Sequence, residues 1–381
     1  MTARVFFYVQ HLLGIGHLRR AAAIARALRE AGAVVDFVSG GMPVEGIDLG
    51  GAALIQLPAA TAADSGFSAI FDADGRPIDD GWKALRRDRL LAHFAAARPD
   101  ILLVEMYPFG RRQFRFELLP LLDAAAQRRD RPLIACSVRD ILVDKGRPDR
   151  VAEAVDLVKR RIDLVLVHGD PRLVTFDRTF AGAPAIAHRL RYTGYVVEQA
   201  VAAAATDRGQ GEILVSAGGG AVGAPLLAAA LAARPLSQYR DRSWRLITGR
   251  NLPTDDATIL RQAAAPDVIL ETFRPDFTRL LQSCLLSVSQ GGYNTVMELI
   301  AARCPAIIVP FAEGAESEQS LRADLLAERG VLSVLAPAAL TAQNLAAAID
   351  RHHGPAAGFA LDLDGARRSA GILLRGEEGL S

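Results

Sequence analysis

Cysteine is scarce, neither sign of charge is in excess, and long apolar runs are missing; each shortage closes a class of explanation. The three cysteines, Cys136, Cys284 and Cys304, are odd in number, far apart and embedded in apolar stretches. That pattern argues against a disulfide framework or a zinc cluster and for core thiols in a reducing compartment. Lys and Arg number 44 against 43 Asp and Glu, for a formal net charge of +1, so no basic field invites a nucleic acid. Basic residues are in slight excess in residues 1–195 and acidic ones in residues 196–381, a hint that the two halves bind different ligands. Apolar runs such as 225–233 and 306–311 fall short of the roughly 20 residues of a spanning helix. The chain enters its first apolar run, Val5-Phe6-Phe7-Tyr8-Val9, without a charged leader or a small-residue cleavage site. The expected location is cytoplasmic, with any membrane contact peripheral and at the inner face.

What is present is an α/β pattern. Short β-branched or Leu-rich runs at 4–9, 34–39, 53–57, 101–105, 133–138 and 164–168 alternate with stretches of helical period at 18–30, 83–97 and 150–161, which predicts βα units and a buried parallel sheet. The pattern restarts at 212–216 and continues at 244–248, 268–270, 285–288, 306–309 and 331–335. With 381 residues, half of them apolar, the chain is long enough for two cores. The expectation is two Rossmann-like, doubly wound domains of about six strands each: residues 1–198 and 212–365, joined by a polar linker at 199–211 and followed by a tail or helix at 366–381 that could pack back on the N-terminal domain.

Ligands of open α/β sheets bind beyond the carboxyl ends of the strands, so the loops there carry the chemistry. The first is Gly14-Ile15-Gly16-His17-Leu18-Arg19-Arg20, where two glycines permit close approach and a helix N-terminus offers amides to negative charge. A dinucleotide site would want a third glycine where Arg19 stands; a plain tight turn is the other bland alternative. His17 titrates near neutrality and is a candidate general base. In the second half, Ser216-Ala217-Gly218-Gly219-Gly220 and Ser289-Gln290-Gly291-Gly292-Tyr293-Asn294-Thr295 follow strands. The second of these opens a helix that Asn294 or Thr295 could cap, so amides, hydroxyl and helix dipole could hold a diphosphate without metal. The donor loops of this half contain no Asp-x-Asp pair for a divalent ion. Glu298, one turn deeper than Asn294, could accept both hydroxyls of a ribose, unless it is a solvated surface carboxylate. Residues 310–320, with Glu316, Glu318 and Gln319, suit sugar hydroxyls or simply favour the start of the next helix.

These residues together resemble the GT-B glycosyltransferases: Gly14-x-Gly16-His17 after the first strand, a Gly-rich turn opening the second domain, and Ser289-x-Gly-Gly-x-x-Thr295-x-x-Glu298. The nearest branch looks like that of the N-acetylglucosaminyltransferase of peptidoglycan lipid synthesis. The resemblance implies two domains facing across a cleft and inverting, metal-independent sugar transfer from a nucleotide sugar, typically a UDP-sugar, to a sugar, lipid-linked or small-molecule acceptor, with no resident cofactor. By the same resemblance His17 is the base or the group that positions the acceptor, Gly14, Gly16, Ser216, Gly218 and Gly219 line the donor side, and Ser289, Gly291, Gly292, Asn294 and Thr295 hold the diphosphate. Glu298 takes the ribose, Glu318 and Gln319 the donor sugar, and Arg250 the leaving diphosphate. Gly-x-Gly-His-x-x-Arg, ending in Arg20, also resembles the UDP-sugar hydrolase of pseudaminic acid synthesis, which keeps hydrolysis, or epimerisation or a sugar-nucleotide sensor, as alternatives. Glu105-Met106-Tyr107-Pro108-Phe109-Gly110-Arg111-Arg112 and Ser137-Val138-Arg139-Asp140 are similar to stretches in a group of predicted bacterial glycosyltransferases. In the first half Arg20, Glu105, Arg111, Arg112, Arg139, Asp140 and His168 are the acceptor-side candidates, with Asp140 and His168 the next bases to consider after His17. Rings and guanidinium groups interleave through residues 107–116, which suits a sugar or lipid-linked phosphate or, equally, a helix with buried Phe and a solvated basic face.

Overall fold

The computed structural model describes the chain except for residues 1, 13, 63–68, 143–146, 198–208, 219–221, 312–317, 353, 355–359 and 376–381. It divides into two compact units, residues 1–198 with 362–381, and residues 199–361. The first contains β1 (Arg4–Val9), α1 (Gly16–Glu30), β2 (Val34–Gly41), β3 (Ala53–Ala62), β4 (Ile70–Asp72), α2 (Asp80–Ala97), β5 (Ile101–Glu105), α3 (Arg115–Gln127), β6 (Leu133–Arg139), α4 (Pro148–Arg161), β7 (Leu164–His168) and β8 (Leu190–Tyr192). The second contains β9 (Ile213–Ser216), α5 (Ala224–Ala233), β10 (Trp244–Ile247), α6 (Thr254–Ala263), β11 (Ile269–Glu271), α7 (Phe277–Ser283), β12 (Leu286–Ser289), α8 (Tyr293–Ala302), β13 (Ala306–Ile308), α9 (Glu318–Ala327), β14 (Ser333–Val334) and α10 (Ala342–Asp350). Helix α11 (Gly365–Arg375) returns to the first unit.

The first sheet has the order β4-β3-β2-β1-β5-β6-β7-β8 and the second β11-β10-β9-β12-β13-β14. Every pairing is parallel except that of β3 with β4. Both sheets reverse their strand order beside the first strand of the unit, between β1 and β5 and between β9 and β12, and a crevice opens beyond the strand ends at such a switch point. Apolar side chains on both faces of β1, from Val5 to Val9, are buried, as expected of a strand covered by helices on either side. The first sheet exceeds the expected six strands by β4 and β8, three residues each, too short to show a period of two.

Two details differ from expectation. The second domain ends earlier than residue 365: Tyr195 donates its amide to the Asp362 carbonyl at 2.7 Å, and Gly365 donates to the Tyr195 carbonyl at 3.0 Å, tying the chain to the first unit from Asp362 onward. Ala370, Ile372 and Leu373 of α11 join the apolar layer built by α1, β1 and β2. Of the expected linker, residues 199–208 lie outside the described residues, and Gly211 is already fixed to the second unit by its amide bond to the Ser283 carbonyl, 3.1 Å.

One polar group is wholly internal to the first unit. Arg86 of α2, with no exposed surface, donates to both oxygens of Glu117 at 2.8 and 2.9 Å, to the Gly40 and Pro58 carbonyls at 2.8 and 2.6 Å, and to Gln10. Glu117 also accepts from the Tyr8 hydroxyl at 2.5 Å. Such a pair holds only because every donor and acceptor around it is matched. Among the described residues no helix is long and apolar enough to cross a membrane.

Candidate functional site

At the β1–β5 switch point the first unit gathers side chains. Helix α1 starts at Gly16 without a side-chain cap, and this places His17 in its first turn, above the end of β5. Its Nδ1 is 2.7 Å from Oε1 of Glu105, the last residue of β5. Arg139, the last residue of β6, donates to His17 Nε2 at 2.8 Å. The ionised Glu105 only accepts, so Nδ1 carries the proton given to it and Nε2 accepts from Arg139; Arg20, whose Nη2 is 3.2 Å from Nδ1, therefore donates to Glu105 and not to the ring. Arg20, one turn along α1, donates to the same Glu105 oxygen. Burial, reinforced by Arg139 and Arg111, outweighs the attraction of Glu105 and pulls the His17 pKa down to about 3. Burial alone would raise Glu105, but His17, Arg20 and Arg111 hold it at about 2. The imidazole is therefore neutral and oriented, with a carboxylate behind it.

The other candidates in this unit separate. Arg111 has φ 61°, and this left-handed turn sends it and its neighbour different ways: Arg111 lies beside Glu105, Arg139 and Arg20, whereas Arg112 is exposed and pairs, like Arg115, with Glu153 of α4. Arg112 is thus removed from the acceptor-side set. Phe109 packs edge-on against Phe176 and Phe180, and Phe114 is buried, so the interleaved rings are core. Asp140 is also removed, because it has no exposed surface and accepts from the Tyr195 hydroxyl at 2.6 Å and the Ile141 amide at 2.9 Å. His168 is equally enclosed. Its nitrogens meet Ser137 Oγ at 2.6 Å and Thr193 Oγ1 at 2.8 Å, and burial, with Arg20, pulls its pKa to about 3. With both nitrogens occupied it is no alternative base. Gly14 is exposed and open around its Cα. One member of the cluster was missed: His11, just past β1, is 3 % exposed and donates from Nε2 to the Met42 carbonyl at 3.0 Å, while its Nδ1 has no partner. Gly41 is required beside it, since a Cβ there would come within 2.4 Å of the ring. The signal was a second histidine ahead of the glycine loop, at the end of the first strand.

The second unit builds its crevice from backbone. At the β9–β12 switch point the two glycine turns meet: Gln290 donates its amide to the Ser216 carbonyl at 3.3 Å and its side chain to the Val222 carbonyl at 3.2 Å. Gly218, at φ 68°, takes the left-handed conformation that glycine adopts without penalty, and donates to Ser216 Oγ at 3.3 Å. Gly219 lies outside the described residues. Gly292 is the N-cap of α8, and neither Asn294 nor Thr295 caps the helix with its side chain; both are partly exposed on its first turn. A helix start leaves its first amides without intrahelical partners, and here they open on the crevice with the positive end of the dipole. Ser289 is buried, its hydroxyl 2.8 Å from that of Ser287. Gly291 is pressed by its surroundings, for a Cβ would lie 3.2 Å from both Gln319 Cβ and Ile308 Cγ2.

Of the remaining donor-side candidates, Glu318 and Gln319 are engaged by neighbouring residues of the unit. Glu298 is 9 % exposed and not a solvated surface group, because α8 turns that face inward. Glu318 is 5 % exposed and bonded to Arg322 at 3.0 Å, which commits it to an ion pair inside α9 in place of a sugar. Gln319 spends its carbonyl on the Phe311 amide at 3.0 Å, fixing the turn after β13. Arg250 is exposed, with its guanidinium 4.3 Å above the ring of Phe273.

Comparison with known proteins agrees with this architecture. The fold is that of the GT-B glycosyltransferases: the chain superposes on CalG4, the calicheamicin glycosyltransferase, with a TM-score of 0.61 at 16 % identity over 99 % of this chain and 94 % of that one. With MurG of Acinetobacter baumannii the TM-score is 0.55 at 14 % identity over 91 % and 90 %. Residues 214–356 match the family model of the glycosyltransferase family 28 C-terminal domain. Two relatives are UDP-N-acetylglucosamine–N-acetylmuramyl-(pentapeptide) pyrophosphoryl-undecaprenol N-acetylglucosamine transferases: that of Azotobacter vinelandii, 35 % identical over 34 % of this chain and 36 % of its own, and that of Synechocystis sp., 32 % identical over 26 % and 31 %. The chain thus spans about a third of the length of these relatives.

Proposed function

We propose that this protein is a glycosyltransferase that moves a sugar from a nucleoside diphosphate sugar, a UDP-sugar by its relatives, to a hydroxyl acceptor, with inversion and without a metal ion. The observation that carries the reading is the meeting of two glycine turns and the start of α8 at the switch point of the second sheet, inside the stretch that matches the family 28 domain. Glycine amides, a partly exposed Thr295 hydroxyl and a helix N-terminus offer a diphosphate what it needs. As the leaving group departs they stabilise its growing charge without reorganising. In the first unit His17 is the base. Its Nδ1–H on Glu105 fixes the tautomer and supports the imidazolium that forms, and Nε2 takes the acceptor proton once the hydroxyl replaces Arg139 as its partner. The oxygen then attacks the anomeric carbon from the face opposite the diphosphate.

Product analysis over a panel of UDP-sugars, with and without EDTA, tests this. A glycoside of inverted anomeric configuration, formed only when a hydroxyl acceptor is supplied and in the presence of EDTA, is the expected result. Free sugar released at the same rate without acceptor would make the protein a hydrolase, and full loss of turnover in EDTA restored by magnesium or manganese would overturn the metal-free phosphate site.

A further inference from the structure

The guanidinium of Arg111 has no use in the transfer chemistry described above. It lies largely buried just beyond β5 and makes no hydrogen bond or ion pair among the described residues, its Nε included. Glu105, Arg139 and Arg20 are near enough for their charges to act on it. Glu105 is already engaged through Oε1 by His17 and Arg20, so it is not hydrogen-bonded to Arg111. Two buried acceptors of this cluster, Glu105 Oε2 and His11 Nδ1, have no donor. A buried cation and buried acceptors are costly when unmatched, and a bound group that supplies both partners removes the cost. The planar fork of an arginine matches a carboxylate or a phosphate in two parallel bonds. Unmatched acceptors ask for a hydroxyl.

From this juxtaposition we infer that the crevice beyond β1 and β5 binds an oxyanion, phosphate or carboxylate, on Arg111, and that this oxyanion belongs to the acceptor, whose hydroxyl groups also donate to Glu105 Oε2 and His11 Nδ1. Only the word acceptor rests on the transfer reading; the oxyanion site rests on Arg111. Burial and Arg139 already press the Arg111 pKa below its ordinary value, and a bound anion relieves that pressure.

The test titrates the full-length chain with inorganic phosphate, with glycerol 3-phosphate and with vesicles containing phosphatidic acid, in the wild type and in Arg111→Gln, Arg111→Lys and Arg112→Gln. The wild type is expected to bind at least one probe, Arg111→Gln about tenfold more weakly or worse, and Arg111→Lys in between, because an ammonium keeps the charge and loses the fork. Arg112→Gln, at an exposed residue paired with Glu153, should bind as the wild type does. Binding of glycerol 3-phosphate identifies a soluble acceptor and binding of vesicles alone a lipid headgroup; either supports the site. UDP affinity should be equal in all four proteins, so a chain that binds phosphate on Arg111 but no nucleotide loses the transfer reading and keeps this one. Equal phosphate affinity in the wild type and Arg111→Gln, or binding of none of the probes, overturns the inference. Should Arg111→Gln fail to fold, Arg111→Lys is read in its place, and affinity unchanged there overturns it as well.

Discussion

At one switch point the crevice is lined by ionised side chains, at the other by backbone amides and hydroxyls, though the two sheets reverse strand order in the same way. In the first unit the functional groups end strands: His11 after β1, Glu105 on β5, Arg139 on β6. In the second the strands end in Ser216 and Ser289, and both serines lead into glycine turns. Under the proposed transfer reading, the difference reflects what each would bind. A diphosphate offers the same charge and shape whatever sugar it carries, and amides at a helix start suit it without regard to identity. A reacting hydroxyl must be chosen and deprotonated, which takes groups with a titration and a direction. On that reading one fold divides recognition into a generic half and a selective half.

The comparison breaks first at His17. If the first crevice is the reactive one, His17→Ala should lower turnover by roughly 10²- to 10⁴-fold while UDP binding, read by calorimetry, is unchanged. Because the imidazole is held neutral down to about pH 3, the acidic limb of the rate profile should fall toward that value. A limb near the ordinary histidine pKa of about 6.5 would mean that Glu105 and Arg139 do not hold the ring during turnover.

A next effect, in stability, separates side chains from backbone. Glu105→Ala removes the buried carboxylate to which Arg20 and His17 are bonded, and removing one partner of a buried pair costs about 3–5 kcal/mol, to be read from urea unfolding. The sign with pH comes from the depressed carboxyl: its contribution is complete above the usual value of 4.5 and disappears as pH falls toward 2. The variant should therefore show the flatter acid limb of stability; an equal slope in both proteins would show that Glu105 is not the group titrating.

The smallest effect sharpens the generic half. Gly291→Ala puts a methyl group 3.2 Å from Gln319 and Ile308, and overpacking of this kind costs about 1–3 kcal/mol. Gln319 must give way, loosening the turn after β13 that it holds through the Phe311 amide. UDP affinity should drop while phosphate binding on Arg111 stays the same. If UDP binds as before, the turn after β12 does not touch the diphosphate.

Much of this was legible because βα units announce themselves. The core strands of both sheets fall where β-branched runs predicted them, and the glycine turns mark the strand ends on which ligands gather. What could not be read was direction. Arg111 and Arg112 are neighbours in sequence, and only the left-handed turn at Arg111 parts them. Asp140 and His168 stand at strand ends like Glu105, yet each finds partners from distant segments, Tyr195 and Thr193, that no local pattern foretells. Glu298 and Glu318 carry charges that favour exposure, and the packing of α8 and α9 overrides it.

Arg86 has a bearing on how the first unit assembles. Its partners come from β1, β2, β3 and α3, with separations of 76 residues to Gln10 and 31 to Glu117. Helix α2 can form early by itself, but its arginine is matched only when all four segments have arrived, and until then docking that helix would bury an unpaired charge. The residue acts as a check on completion: partial assemblies are penalised, and the last contacts close together. The same logic holds in reverse, since α2 cannot peel away without exposing or orphaning Glu117, Gln10 and two carbonyls. The segment beneath the β1–β5 crevice thus opens as one cooperative block.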